Sequence, residues 1–179
     1  AVMAASVLRL GRTAEGDRPA LASVFPTIAG ECLILDVGAS TDCKAEDLVR
    51  FATMGSVYCQ RVMKLPNPRV GLLSNGEESS KGNSIVQQAH SRLKSGKVNF
   101  IGNIEGKEIL KGKADVDVCD GFTGNSLLKF GDMAAGEIKA LDPACAKDAH
   151  DYRLKPVVLD ATFLYQARLT LHRGEICLL

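Results

Sequence analysis

One segment constrains the fold more than any other: Cys32-Leu33-Ile34-Leu35-Asp36-Val37, closed by Gly38. It is apolar without a polar alternation and is strand-length. Such a run suits a strand covered on both faces, as in a parallel sheet sandwiched by helices. The rest of the chain supports that reading. Leu48, Phe51, Val57, Tyr58 and Val62 follow at mostly helical spacing until Pro66. Asp42 is the expected cap of that helix, with Glu46 and Asp47 in its first turns. Val70 to Leu73 reads as a strand, 82–94 as a helix, Val98 to Ile101 as a strand and Glu105 to Leu110 as a short helix. Val116 to Cys119 is a further strand, and about 124–140 a further helix. Residues 2–10 carry a weak helical face, and Leu21 to Phe25 is a short apolar run ended by Pro26. The alternation predicts an α/β fold with a mostly parallel sheet and helices on both faces. After Leu141 it degrades: 142–156 are polar, and Val157 to Leu171 are apolar with no partner in the scheme.

Composition removes several functions. The 179 residues carry 22 Lys plus Arg against 21 Asp plus Glu, a net charge of +1, with 5% aromatics and no Trp. That balance argues against a nucleic-acid partner. Six cysteines stand no closer than Cys32 and Cys43, so no C-x-x-C or zinc-ribbon spacing exists, and reduced, mostly buried thiols are expected. The apolar start, Ala1-Val2-Met3-Ala4-Ala5, lacks a basic flank and is interrupted by Arg9, and no apolar run reaches the ~18 residues of a membrane span. A cytoplasmic protein is the expectation.

Chemistry in an open α/β sheet gathers beyond the carboxyl ends of the strands. Four segments there join Gly to small polar residues: Asp36 to Asp42, Ser74 to Asn83, Gly102 to Gly106, and Asp120 to Asn125. Glycine lets backbone amides approach a ligand, and a helix start favours an anion. Lys81 is the only cation among them, placed against the dipole of the helix it precedes unless it serves an anion. Each segment taken singly also reads as an ordinary turn or cap, Asp120 and Thr123-Gly124-Asn125 included. No Walker A motif, G-x-G-x-x-G or G-x-S-x-G is present. His90 lies mid-helix, His150 and His172 lie in the tail, and no pair has metal-ligand spacing. The pattern therefore points to positioning of a phosphate-like anion, with no metal, no cofactor and no covalent intermediate.

In these segments the sequence resembles the bacterial PlsX-type phosphate acyltransferases. The resemblance is carried by Gly11-Arg12 with Asp17-Arg18-Pro19-Ala20-Leu21-Ala22, by Leu35-Asp36-Val37-Gly38-Ala39, and by Met54-Gly55-Ser56-Val57-Tyr58. It continues through Pro68-Arg69-Val70-Gly71-Leu72-Leu73, Gly76-Glu77-Glu78 and Lys81-Gly82-Asn83. Asn99 to Gly106 and Asp120-Gly121-Phe122-Thr123-Gly124-Asn125 complete it, in order, from residue 1 to about 138.

The resemblance implies transfer of a fatty acyl group from acyl carrier protein to inorganic phosphate, giving acyl phosphate for phospholipid synthesis. It implies a fold like that of isocitrate and isopropylmalate dehydrogenases and phosphotransacetylase, here incomplete. A homodimer working at the membrane surface is also implied, with a possible contact to a downstream acyltransferase. Lys81 and Asn125 match positions associated with catalysis. Lys81 would neutralise phosphate, and Asn125 would orient phosphate or the thioester carbonyl. Asp36, Gly38, Asn83, Asn103, Asp120, Thr123 and Gly124 would form the substrate pocket. The chain departs from the pattern in lacking the family's N-terminal part, in Ser74 and Ser126, and in the absence of family-like sequence beyond about residue 138. It therefore reads as a core over 1–141, a portion of a larger enzyme, and a divergent tail over 142–179. Alternatives are a short-chain phosphate acyltransferase of the same fold and an inactive fragment.

Overall fold

The computed structural model describes residues 19–141 and 156–159. Six strands form one sheet: β1 (Ala20–Thr27), β2 (Gly30–Leu35), β3 (Arg69–Leu73), β4 (Asn99–Ile104), β5 (Val116–Val118) and β6 (Pro156–Leu159). Four helices lie between them: α1 (Ala45–Arg61), α2 (Ser84–Lys94), α3 (Gly106–Ile109) and α4 (Gly121–Leu141). The strand order is β4-β3-β5-β2-β1-β6. The four strands from β4 to β2 run parallel, while β1 is antiparallel to both β2 and β6. The expected α/β architecture is thus observed, with an antiparallel margin that the alternation did not reveal. The short run at Leu21 to Phe25 belongs to a strand that passes through Pro26 and pairs Thr27 with Gly30 across a tight hairpin. Val157 to Leu159, without a partner in the sequence scheme, pair with β1. The weak helical face at residues 2–10 lies outside the described residues.

Period-two alternation along the strands divides the core in two. Leu33, Leu35, Val70, Leu72, Val116 and Val118 face α1 and α2, where Leu48, Phe51, Met54, Ala89 and Leu93 cover them. Cys32, Ile34, Ile104 and Cys119 face the other way, with Ile109 of α3 and with Leu127 and Leu128 of α4 packed against them. Helices on both faces explain why β2 reads as uninterrupted apolar sequence. The four described thiols, Cys32, Cys43, Cys59 and Cys119, are free and buried, as expected. Among the described residues no helix is long and apolar enough to cross a membrane.

Three element boundaries differ from the sequence reading. Helix α1 starts at Ala45, not at a cap on Asp42; the Asp47 carboxylate reaches back to accept the Lys44 amide at 2.9 Å. Strand β4 continues to Ile104, so Gly102 and Asn103 lie in the strand, not in a following loop. The register slips between Val70 and Gly71, leaving Ile101 unmatched and 37% exposed, and Gly102 takes φ +104° beside it. Helix α4 begins three residues earlier than the apolar spacing suggested, at Gly121, because the Asp120 carboxylate caps it.

Candidate functional site

Strands β3 and β5 are neighbours, yet their chains leave on opposite faces. After β3 the chain enters α2, which packs with α1; after β5 it enters α4 on the other side. Where adjacent parallel strands diverge in this way, a crevice opens at their carboxyl ends. A cleft of about 580 Å³ occupies that place. Its walls include Leu72, Leu73, Ser74 and Asn75 from the end of β3, Gly82, Asn83 and Val86 from the start of α2, Cys119 and Asp120 just after β5, and Thr123 from the first turn of α4.

Both long helices that open here have ordered starts. The Asn83 side chain accepts the Val86 amide at 3.0 Å, and the Asp120 carboxylate accepts the Thr123 amide at 2.9 Å and its hydroxyl at 2.8 Å. The Gly121 amide is taken by the Ser40 carbonyl and the Gly124 amide by the Asp120 carbonyl. Those caps leave the amides of Ser84, Ile85 and Phe122 outside the intrahelical ladders. Neither α2 nor α4 has an acidic residue in its first turn, whereas α1 carries Glu46 and Asp47 and α3 carries Glu108 there. The positive end of α2, capped by the neutral Asn83, therefore carries no carboxylate of its own, whereas that of α4 is met by the Asp120 carboxylate.

The residues singled out from sequence fall into three groups. Asn83, Asp120 and Thr123 line the cleft. Lys81 is exposed and stands three residues before the first residue of α2, its stem lying across Gly76. Gly38 of the Asp36 loop packs against Asn125 of α4, and neither lines the cleft; a Cβ on Gly38 would lie 3.6 Å from that of Asn125. Asp36, Asn103 and Gly124 lie beneath. The Asp36 carboxylate is fully buried and accepts the amides of Leu21, Gly38, Ala39 and Ser40 at 3.0, 3.2, 3.0 and 2.7 Å. Burial pushes its pKa upward, and the four amides pull against that. Asn103 is also buried, bonded to His90 at 2.9 Å and to the Glu78 carbonyl at 2.8 Å. Gly124 seats the first turn of α4 on the Asp36 backbone, where a Cβ would fall on the Asp36 carbonyl oxygen.

The loop carrying Lys81 is braced throughout. Asn75 Oδ1 accepts the Gly82 amide at 2.8 Å, and the Gln87 side chain donates to the carbonyls of Ser80 and Gly82. Gly82 sits at φ +88°, a left-handed conformation, with Val86 against its Cα. Ser74, which the sequence marks only as a departure from the family pattern, and Asn75, which it does not mark, both line the cleft. Their place as the first two residues after β3 is the signal that marks them.

No thiol here serves as a nucleophile. Cys119 borders the cleft, but its Sγ turns to the Asp36 carbonyl at 3.5 Å and burial holds it protonated. Burial likewise pushes Cys43 up to about 11. Among the described residues no group of three or more His, Cys, Asp or Glu is arranged to hold a metal ion. The cleft wall thus combines the amide-bearing start of α2 with the Asp120 carboxylate and the Thr123 hydroxyl.

Comparison with known proteins accords with this architecture. A family model described as "Fatty acid synthesis protein" matches residues 1–166. The phosphate acyltransferase of Heliobacterium modesticaldum is 50% identical over 141 residues, covering 79% of this chain and 42% of that protein. The phosphate acyltransferase of Moorella thermoacetica is 54% identical over 130 residues, covering 73% of this chain and 38% of that protein. That of Geotalea daltonii is 42% identical over 164 residues, covering 92% and 47%. The chain thus spans less than half the length of these curated relatives. A solved structure, the EutD phosphotransacetylase from Staphylococcus aureus, shares the fold with a TM-score of 0.56 at 15% identity, over 73% of this chain and 46% of its own. With the family model covering nearly its whole length, the chain belongs to the fatty acid synthesis protein family and is a PlsX-type sequence.

Proposed function

We propose that the cleft supports acyl transfer from acyl carrier protein to inorganic phosphate, giving acyl phosphate for phospholipid synthesis. One observation carries this reading. Adjacent strands β3 and β5 end together, and α2, which starts there, presents amides with no carboxylate at its cap or in its first turn. A phosphate seated there meets the dipole of α2 and the Lys81 ammonium, the one cation of the four glycine-bearing loops.

A phosphate oxygen attacks the thioester carbonyl carbon, the carbonyl electrons move onto oxygen, and on collapse the C–S bond breaks. The thiol leaves with a proton supplied by the phosphate. Such chemistry needs an oriented anion and donors for the developing oxyanion, not a protein nucleophile. In this assignment Lys81 neutralises phosphate and Asn125 orients phosphate or the carbonyl. Asn83, Asp120 and Thr123 shape the wall, while Asp36, Gly38, Asn103 and Gly124 hold the loops. A homodimer in the cytoplasm, delivering its product at the membrane surface or to a downstream acyltransferase, completes the reading.

The test is phosphate-dependent release of free carrier protein from acyl-carrier thioester, run beside acyl-CoA. We expect the carrier thioester to be the better donor. Turnover should be lower than that of a full-length relative, since the chain spans under half of such a protein. Lys81→Ala should remove most of the phosphate-dependent release, about 100-fold for loss of an electrostatic contact to the reacting anion. Unchanged turnover in that variant takes Lys81 out of the site. A strong preference for short acyl-CoA moves the assignment to short-chain chemistry.

A further inference from the structure

We propose that Asn103 is a positioning residue that sets the Lys81 loop through the Glu78 carbonyl, with His90 fixing the Asn103 amide; this rests on the phosphate reading above. Asn103 lies on β4 opposite Leu72, so its side chain arises beside the strand that feeds the loop. The Glu78 carbonyl takes two donors, the Lys81 amide at 3.0 Å and Asn103 Nδ2 at 2.8 Å. One oxygen therefore links the backbone of Lys81 to a side chain anchored in the sheet.

The other end of Asn103 is held as firmly. With Nδ2 committed to Glu78, Oδ1 faces His90 Nδ1 at 2.9 Å, which makes that nitrogen the donor. His90 is 8% exposed and Asn103 3%, and the ring packs edge-on against Phe100 with centroids 5.1 Å apart. A buried amide satisfied at both ends has one orientation, because flipping it would oppose donor to donor and acceptor to acceptor. His90, which lies mid-helix without metal-ligand spacing to another histidine, thus has a defined task. It reaches the loop through one residue, from a helix that begins at the cleft.

Asn103→Asp tests the link. At pH 8 it keeps the acceptor for His90 but sets a carboxylate oxygen against the Glu78 carbonyl. Three quantities decide: affinity for inorganic phosphate, hydrogen exchange at the Lys81 and Gly82 amides, and Tm. We expect phosphate to bind about tenfold more weakly and the two amides to exchange about tenfold faster, with Ala89 in α2 unchanged. The Tm should move by only a few degrees. Asn103→Ser, which drops both contacts, should behave likewise if the aspartate variant does not fold. His90→Gln, which restores a donor to Asn103, should remain near the parent. A fall in Tm with phosphate affinity and loop exchange unchanged overturns the proposal. If the parent chain binds no phosphate, the functional reading fails. Exchange at Lys81 and Gly82 then still decides the positioning claim, acceleration supporting it and constancy ending it.

Discussion

Two carboxylates are buried in the same sheet on neighbouring strands, and they live in opposite circumstances. Asp36, directly after β2, is 0% exposed and gathers four backbone amides. Asp117, in the middle of β5, is 1% exposed, and neither carboxyl oxygen has a hydrogen-bond partner. The difference is positional. Inside a parallel sheet every amide is committed to the ladder, so a side chain finds none to spare. Where a strand ends and the chain turns, amides are released, and a carboxylate can organise them. The chain turns in the same way after β3 and β5, and the cleft lies there.

The comparison is broken most severely by removing the satisfied carboxylate. Asp36→Ala leaves four amides without an acceptor and removes one of the two bonds that tie Leu21 of β1 to this loop, the Val37 amide on the Leu21 carbonyl remaining. At about 1–3 kcal/mol for each unmet buried group, partly relieved by water, a loss of about 4 kcal/mol follows. Chemical denaturation should show it as a midpoint shift or as failure to fold. A loss below about 1 kcal/mol would mean that the loop holds itself. Gly124→Ala attacks the same region from the other side. Its Cβ would land on the Asp36 carbonyl, and backbone cannot yield as a side chain can. Overpacking against backbone should destabilise by about 3 kcal/mol, measurable as a Tm drop of about 10 °C. Repacking α4 without loss would show the contact to be soft.

The same contrast separates what the sequence made legible from what it did not. The alternation located β2, β3, α1 and α2 because both faces of the sheet are covered, and burial writes itself into apolar runs. Glycine and small polar residues marked the loop after β3 and the turn at Asp120, because turn and cap chemistry is local. What stayed hidden depends on partners far along the chain. Asp36 reads as a pocket residue in sequence, and only the fold brings Leu21, fifteen positions away, onto it. Asn103 follows a Gly that looks like a turn, yet a bulge at Ile101 keeps it in β4 and aims it at Glu78 and His90. The antiparallel pairing of β1 is equally a choice of register, invisible to composition. Asp117 gave no signal, since an acid in a short apolar run reads as an exposed position.

That hidden residue supports the last and smallest prediction. Asp117 lies beside Ile34 of β2 and Gly71 of β3, with the buried Cys32 thiol facing it without closing a hydrogen bond of ordinary geometry. Burial raises its pKa to about 7, with the nearby Cys32 thiol opposing the rise, the Asp115 charge adding to it and Arg69 opposing it. Arg69 is itself engaged by Asp115 through contacts of 3.1 and 2.8 Å at the far end of the strands, so it cannot serve as a close partner. A carboxyl whose folded pKa lies above its unfolded value binds more protons folded than unfolded. Stability is therefore full below about pH 4 and is lost as pH rises through about 7. Asp117→Val keeps nearly the same volume and removes the charge. It should stabilise the protein by about 2 kcal/mol more at pH 8 than at pH 5, from the proton linkage alone. Denaturation of parent and variant at both pH values measures the difference directly. If the gain is the same at both, Asp117 does not titrate between them, and its carboxyl has found a partner in solution that would place it with Asp36 and not opposite to it.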